Sequence, residues 1–67
     1  MNIYTFVSLA VADANRQARE ISMDHAGLIM AVVTHDRSGI FVSWATTEQK
    51  LADNEVECGW WRHGKKQ

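Results

Sequence analysis

Leu28-Ile29-Met30-Ala31-Val32-Val33 lies between Gly27 and the polar run Thr34 to Gly39, and its reading decides the fold. A strand with one wet face shows a polar residue at every second position, and these six residues show none. The run therefore reads as a strand buried on both faces. Few elements are on hand to bury it, because the chain has 67 residues. That length makes one domain, residues 1–67, which hides only roughly 60% of the surface its unfolded form exposes.

Composition narrows the possible functions. Seven basic against eight acidic residues leave a formal net charge of -1, unlike a general polyanion binder, whose affinity rests on neutralising several phosphates. The charge is uneven: Asp53, Glu55 and Glu57 form an acidic segment, and Arg62, His63, Lys65 and Lys66 a basic end. Cys58 is the only cysteine, so no disulfide forms within the chain, and a lone thiol suits a reducing compartment. No basic region followed by a long apolar run opens the sequence, and no segment approaches the ~20 apolar residues that span a bilayer. A cytoplasmic location with no membrane partner is expected.

Outward from the central run, Ile3 to Leu9 reads as a strand, rich in β-branched and aromatic residues. Tyr4 and Phe6 would point one way with Ser8, and Ile3, Val7 and Leu9 the other way with Thr5. Asp13 reads as the N-cap of a helix from Ala14 to Ala26. Ala14, Ala18, Ile21 and His25 would face the sheet, with Asn15, Arg16, Arg19 and Glu20 outside and Arg16 paired to Glu20. Gly27 would end the helix in a left-handed conformation. Beyond the central strand, His35 to Gly39 is a short loop, and Ile40 to Ala45 is a second strand forming an antiparallel hairpin. Thr46 or Thr47 caps a helical turn through Ala52, with Thr46 and Gln49 at capping-box spacing, or the strand runs on and turns at Asp53-Asn54. Glu55 to Trp61 is a last strand, and Gly64 to Gln67 a loose basic tail. The expected fold is α+β: a three- to four-stranded, mostly antiparallel sheet with one helix on one face, in the order β-α-β-β-β.

Little here reads as reaction chemistry. His25, His35, His63 and Cys58 lack the paired spacing of a zinc site, and four glycines form no phosphate-binding pattern. Cys58 reads as a small buried hydrophobe. Neither a metal, nor a cofactor, nor catalysis is expected. Trp60-Trp61 is the most conspicuous pair; neighbours on a strand point to opposite faces, so one indole enters the core and one sits on the other side. Phe41 and Trp44 pose the same question on the preceding strand.

Two resemblances bear on function. Arg37-Ser38-Gly39-Ile40-Phe41-Val42-Ser43-Trp44 resembles the ribonucleoprotein-1 signature of RNA-recognition motifs at Arg37, Phe41, Val42 and Trp44. Ser38, Gly39 and Ile40 stand where that signature has Gly-aromatic-Gly. It implies single-stranded nucleic acid stacked on sheet aromatics, with Tyr4 or Phe6 in the first strand's stacking position. The size, the absence of proline and the β-α-β-β plan are similar to small phage-encoded inhibitors such as anti-CRISPR proteins. That likeness implies a non-enzymatic protein working in the host cytoplasm, where it covers a surface of a host defence complex such as a CRISPR surveillance complex.

A single helix shields one sheet face, so the other is expected to be bare and apolar, which marks a site of association. The expected function is a protein-interaction module docking on a host complex or on a second copy through that face. Tyr4, Phe6, Phe41 and Trp61 would be the anchors, and Arg62, Lys65 and Lys66 the steering charges. Nucleic-acid binding by the sheet aromatics is the alternative.

Overall fold

The first 26 residues contain neither glycine nor proline, and the chain uses most of them as one helix. The computed structural model describes the backbone of residues 3–67 and the side chains of residues 8–67. Helix α1 spans Ile3–Met23, followed by β1 (Ile29–Asp36), β2 (Gly39–Thr46), β3 (Glu55–Arg62) and the short β4 (Lys65–Lys66). The expected α+β class, with one helix packed on a four-stranded antiparallel sheet, is what the chain forms.

The strand expected at Ile3 to Leu9 is helix instead. Its β-branched and aromatic content is a weak local preference, and no breaker separates it from the apolar stripe downstream. Extending an existing helix adds one hydrogen bond per residue. Ala10, Ala14, Ala18 and Ile21, with Val11, form that stripe against the sheet. Asp13 is consequently a mid-helix residue rather than a cap; its carboxylate accepts from the Arg16 guanidinium at 2.6 Å. The Arg16–Glu20 pair forms as expected, at 3.3 Å. The helix ends at Met23, before the expected Ala26. Gly27 has an ordinary negative φ; its N–H donates to His25 Nδ1 at 3.2 Å, so the imidazole shapes the exit from the helix.

β1 is the centre of the sheet, whose order is β2-β1-β3-β4. Its Ile29, Ala31 and Val33 face the helix, and Met30 and Val32 face away, all buried as expected. β2 joins β1 in an uninterrupted antiparallel register from Ile29↔Thr46 to Asp36↔Gly39. β3 pairs with β1's other edge from Ile29↔Trp61 to Thr34↔Glu55, with a bulge between Ala31 and Val32. Since β2 and β3 both run against β1, they are parallel to each other. The connection between them must therefore travel the length of the sheet, from the Ile29 end to the Thr34 end, about 17 Å at 3.3–3.4 Å per residue.

That connection, residues 47–54, overturns the expectation of a bare sheet face. Leu51 packs with Trp60 on Met30, Val32 and Ala45. Met30 is 3% and Val32 1% exposed although neither faces the helix. A crossover loop does here what a second helix would otherwise do. It contains no helical turn, yet half of the expected capping box forms: the Thr46 N–H donates to Gln49 Oε1 at 2.8 Å, and the Gln49 N–H to the Thr46 carbonyl at 3.1 Å.

The expected loose tail is also ordered. His63 (φ 50) and Gly64 (φ 78) both lie in the left-handed region, the geometry of a two-residue hairpin turn. The turn pairs Arg62 with Lys65 and Trp61 with Lys66. It is tied to the helix by Ser22, fully buried, whose hydroxyl donates to the Arg19 carbonyl at 2.7 Å and accepts the Gly64 N–H at 2.9 Å. Ser22→Ala strands that N–H and is expected to cost about 1–3 kcal/mol in denaturant unfolding. Hydrogen exchange should show the loss of protection concentrated at Gly64 to Gln67.

Candidate functional site: an open sheet edge

The sheet has two edges, and they differ in kind. β4 has two residues, Lys65 and Lys66, both exposed, and covers β3 only at Trp61 and Arg62; the rest of that edge, Glu55 to Gly59, carries Glu55, Glu57 and the bulge. Short length and lysine are two devices by which natural sheets discourage further pairing. β2, at the opposite edge, has eight residues, Gly-Ile-Phe-Val-Ser-Trp-Ala-Thr, with no charge and no proline. Its ladder to β1 contains no bulge.

The direction of β2's free backbone groups follows from Thr46. Both its N–H and its carbonyl turn away from β1 and are met by Gln49. Along an antiparallel strand the groups of every second residue point the same way. The N–H and C=O of Ile40, Val42 and Trp44 thus point off the edge. No described residue bonds to them. At the other side of β1 the alternation is consistent, since the His35 N–H reaches the Asn54 carbonyl at 2.9 Å on the β3 side.

Two aromatic rings flank this edge. Phe41 is 50% exposed and Trp44 41%. By register Trp44 sits with Ala31 on the helix side, and Phe41 with Thr34 on the other. Beside them lies an open groove of about 890 Å3 between the helix and the β1–β2 hairpin, lined on its apolar side by Leu9, Ala10, Ile40 and Val42.

Of the residues expected from sequence to form a binding site, Trp61, Arg62, Lys65 and Lys66 are brought together at the β3–β4 end, and Phe41 is apart from them. Tyr4 and Phe6 are in the first turns of α1 rather than on a strand, and their side chains lie outside the described residues. No first strand exists to hold them in a stacking platform, so that part of the ribonucleoprotein-1 likeness has no structural counterpart. Phe41 is exposed at the β2 edge. Trp61 is on the helix side, half-buried, where its indole N–H donates to Asn15 Oδ1 at 2.8 Å. Trp60 takes the opposite face, so the indoles do divide between the two sides. Arg62, Lys65 and Lys66 cluster at the β3–β4 turn, at the end of the sheet away from Phe41. Glu55 lies in Phe41's own row, since Thr34 pairs with both.

Asn15 is not on the outer face as expected, and Trp44, whose face was left open, was not among the expected anchors. Asn15 donates to the Val11 carbonyl at 2.8 Å and sits over Gly59. Any side chain at Gly59 would collide with its carboxamide, which is why the bulged stretch of β3 carries glycine. Cys58 beside it is half-buried. Burial pushes its thiol above the ordinary value of 9.0, with Glu57 adding to the effect and a backbone bond from Val33 opposing it. An activated nucleophile needs the reverse shift. Among the described residues, no three His, Cys, Asp or Glu side chains gather as a metal site, and no helix is long and apolar enough to cross a membrane.

Two outcomes follow from this geometry. Gly59→Ala should lose about 1–3 kcal/mol by displacing the Asn15 carboxamide. Asn15→Ala in the same chain should recover part of that loss, a non-additivity read from a double-mutant cycle. The raised Cys58 thiol disfavours the thiolate in the folded state, so the unfolded state binds fewer protons above the ordinary thiol value. Stability is therefore unaffected below about pH 9 and should fall as pH rises from there through the folded value. Cys58→Ser should remove that alkaline component from the unfolding profile.

No protein-family model, curated protein or solved structure matches the chain.

Proposed function

We propose that this chain is a non-enzymatic protein-interaction module that engages through the β2 edge. The single observation that supports the reading is an eight-residue strand edge free of charge, proline and bulge, flanked by exposed Phe41 and Trp44. Unpaired edges of this kind are the surfaces to which another strand adds, with main-chain hydrogen bonds supplying affinity and alternate side chains specificity. The open groove lined by Ile40, Phe41 and Val42 adds apolar area along the same strand. A phage-encoded inhibitor of a host defence complex is the particular setting that the sequence resemblance implies. The β-α-β-β plan on which that resemblance partly rested is not the order the chain forms, which is one helix followed by four strands.

The nucleic-acid alternative has less to support it. Phe41 shares its row with Glu55, and Arg62, Lys65 and Lys66 are at the far end of the sheet, leaving Arg37 of the β1–β2 turn as the cation beside the ring. A stacking surface that follows phosphates needs rings and cations side by side.

An immobilised chain used as bait tests the proposal in three versions: wild type, Trp44→Lys, and Arg62→Ala as control. Proteins retained by the wild type and by Arg62→Ala should be lost with Trp44→Lys. Retention that ignores Trp44 but follows Arg62 would move the site to the basic turn. Mixed-sequence single-stranded oligonucleotides should leave the tryptophan emission unchanged at low salt. Quenching that disappears as salt rises would favour the alternative.

A further inference from the structure

We infer that the β2 edge takes a second copy of this chain, forming a closed dimer through antiparallel β2–β2 pairing and a continuous eight-stranded sheet. The inference rests on the interaction role proposed above and specifies its partner. Four features of the molecule carry it.

The first is self-compatibility. A strand that pairs with itself sets each side chain beside a copy of its own neighbours, so one charged residue would meet its like or be desolvated twice. β2 has no charged residue. The second is closure. Only one edge is long, uncharged and free of bulges: β4 covers the other at Trp61 and Arg62 alone, and the remainder, Glu55 to Gly59, is guarded by two glutamates and the bulge. Head-to-tail growth needs two complementary surfaces, whereas a single open edge allows an isologous two-fold pair and then stops.

The third is the fit of Trp44. A two-fold axis perpendicular to the sheet puts both helices on the same side and pairs residues whose side chains share a face. The edge-pointing groups of Ile40, Val42 and Trp44 then bond to one another across the axis. Centred on Val42, Trp44 lies opposite Ile40 of the second copy; centred on Ser43, it lies opposite Val42. Both of these residues line the groove beside the helix. In either register the indole of each copy is delivered to the apolar groove of the other, and a ring now 41% exposed becomes covered.

The fourth is charge at the ends. Arg37 precedes β2 and Glu48 follows it, both exposed. Antiparallel pairing brings Arg37 of each copy beside the Thr47-Glu48 turn of the other, twice by symmetry. Parallel pairing would set Arg37 beside Arg37. Exposed Asp36 stands beside Arg37 at that end, so the charges disfavour the parallel direction, in which like meets like, and leave open the antiparallel one that the two-fold axis requires.

Sedimentation equilibrium from micromolar to millimolar chain is the test, at physiological salt. The expected result is a reversible shift from the 7.6 kDa of one chain to twice that mass, with no larger species. Trp44→Lys should weaken association roughly thirty-fold or more, the effect of losing a hot-spot aromatic. A synthetic chain N-methylated at Val42 keeps every side chain and its bonds to β1, and loses one edge-pointing donor. It should be equally impaired with an unaltered far-ultraviolet dichroism spectrum, and it decides the matter if Trp44→Lys fails to fold. A single-chain mass throughout, a series beyond the dimer, or a dimer indifferent to N-methylation would overturn the inference. A monomeric wild type that still retains proteins in a Trp44-dependent way overturns self-pairing alone. A monomeric wild type that retains none overturns the interaction role as well.

Discussion

The structure depends on one constraint: β1 is apolar on both faces, and both must be kept from water. Five consecutive residues, Ile29 to Val33, are buried. At about 25 cal/mol per Å2 of apolar surface, a strand like this supplies a large part of the driving force in a domain of this size, but only if both sides are covered. The helix answers for one side with small residues, since Ala10, Ala14 and Ala18 let its backbone come close. The crossover loop answers for the other with Leu51, and Trp60 closes the gap. Placing β1 in the middle of the sheet also satisfies its backbone on both edges, which a chain with so few strands achieves only by sending β2 and β3 to opposite sides.

That arrangement has a consequence for the rim. With β1 central, β2 is forced outward, and its outer groups meet nothing but Gln49 among the described residues. The chain covers faces and leaves an edge. The surface proposed for association is therefore made of backbone groups framed by two rings, not of a bare apolar plane. Such a surface recognises a strand, whose own unpaired groups match it in spacing and direction. The same logic separates the two ends of the sheet. The β3–β4 turn is tied down by Ser22 and Asn15 and carries the positive charge, so it reads as a fastening for the helix.

Much of the fold was legible in the chain. The unbroken apolar run announced a doubly buried strand, Gly39 and the polar residues before it announced a hairpin, and Trp60-Trp61 announced indoles on both faces. The first strand was misread because β-branched and aromatic residues in a seven-residue window suit a helix or a strand alike. The absence of glycine or proline before Gly27 was the better signal. His63-Gly64 was a legible turn as well, for a residue tolerant of positive φ followed by glycine is what a two-residue hairpin needs. The candidate site was less legible. Phe41 was found by its residue type, whereas Trp44 gained its place from being on the edge, a property of strand order that periodicity does not carry.

By itself, then, the sequence determined which segments are apolar, which turns are possible and that a lone helix must serve one side of the sheet, because these follow from local chemistry and spacing. Only the tertiary structure decided that β1 is central, that residues 47–54 cross the second face, and that the exposed feature is an edge. Those outcomes depend on which strands pair and in which direction. Pairing is a contest among long-range alternatives, settled by how all the apolar surfaces are buried at once.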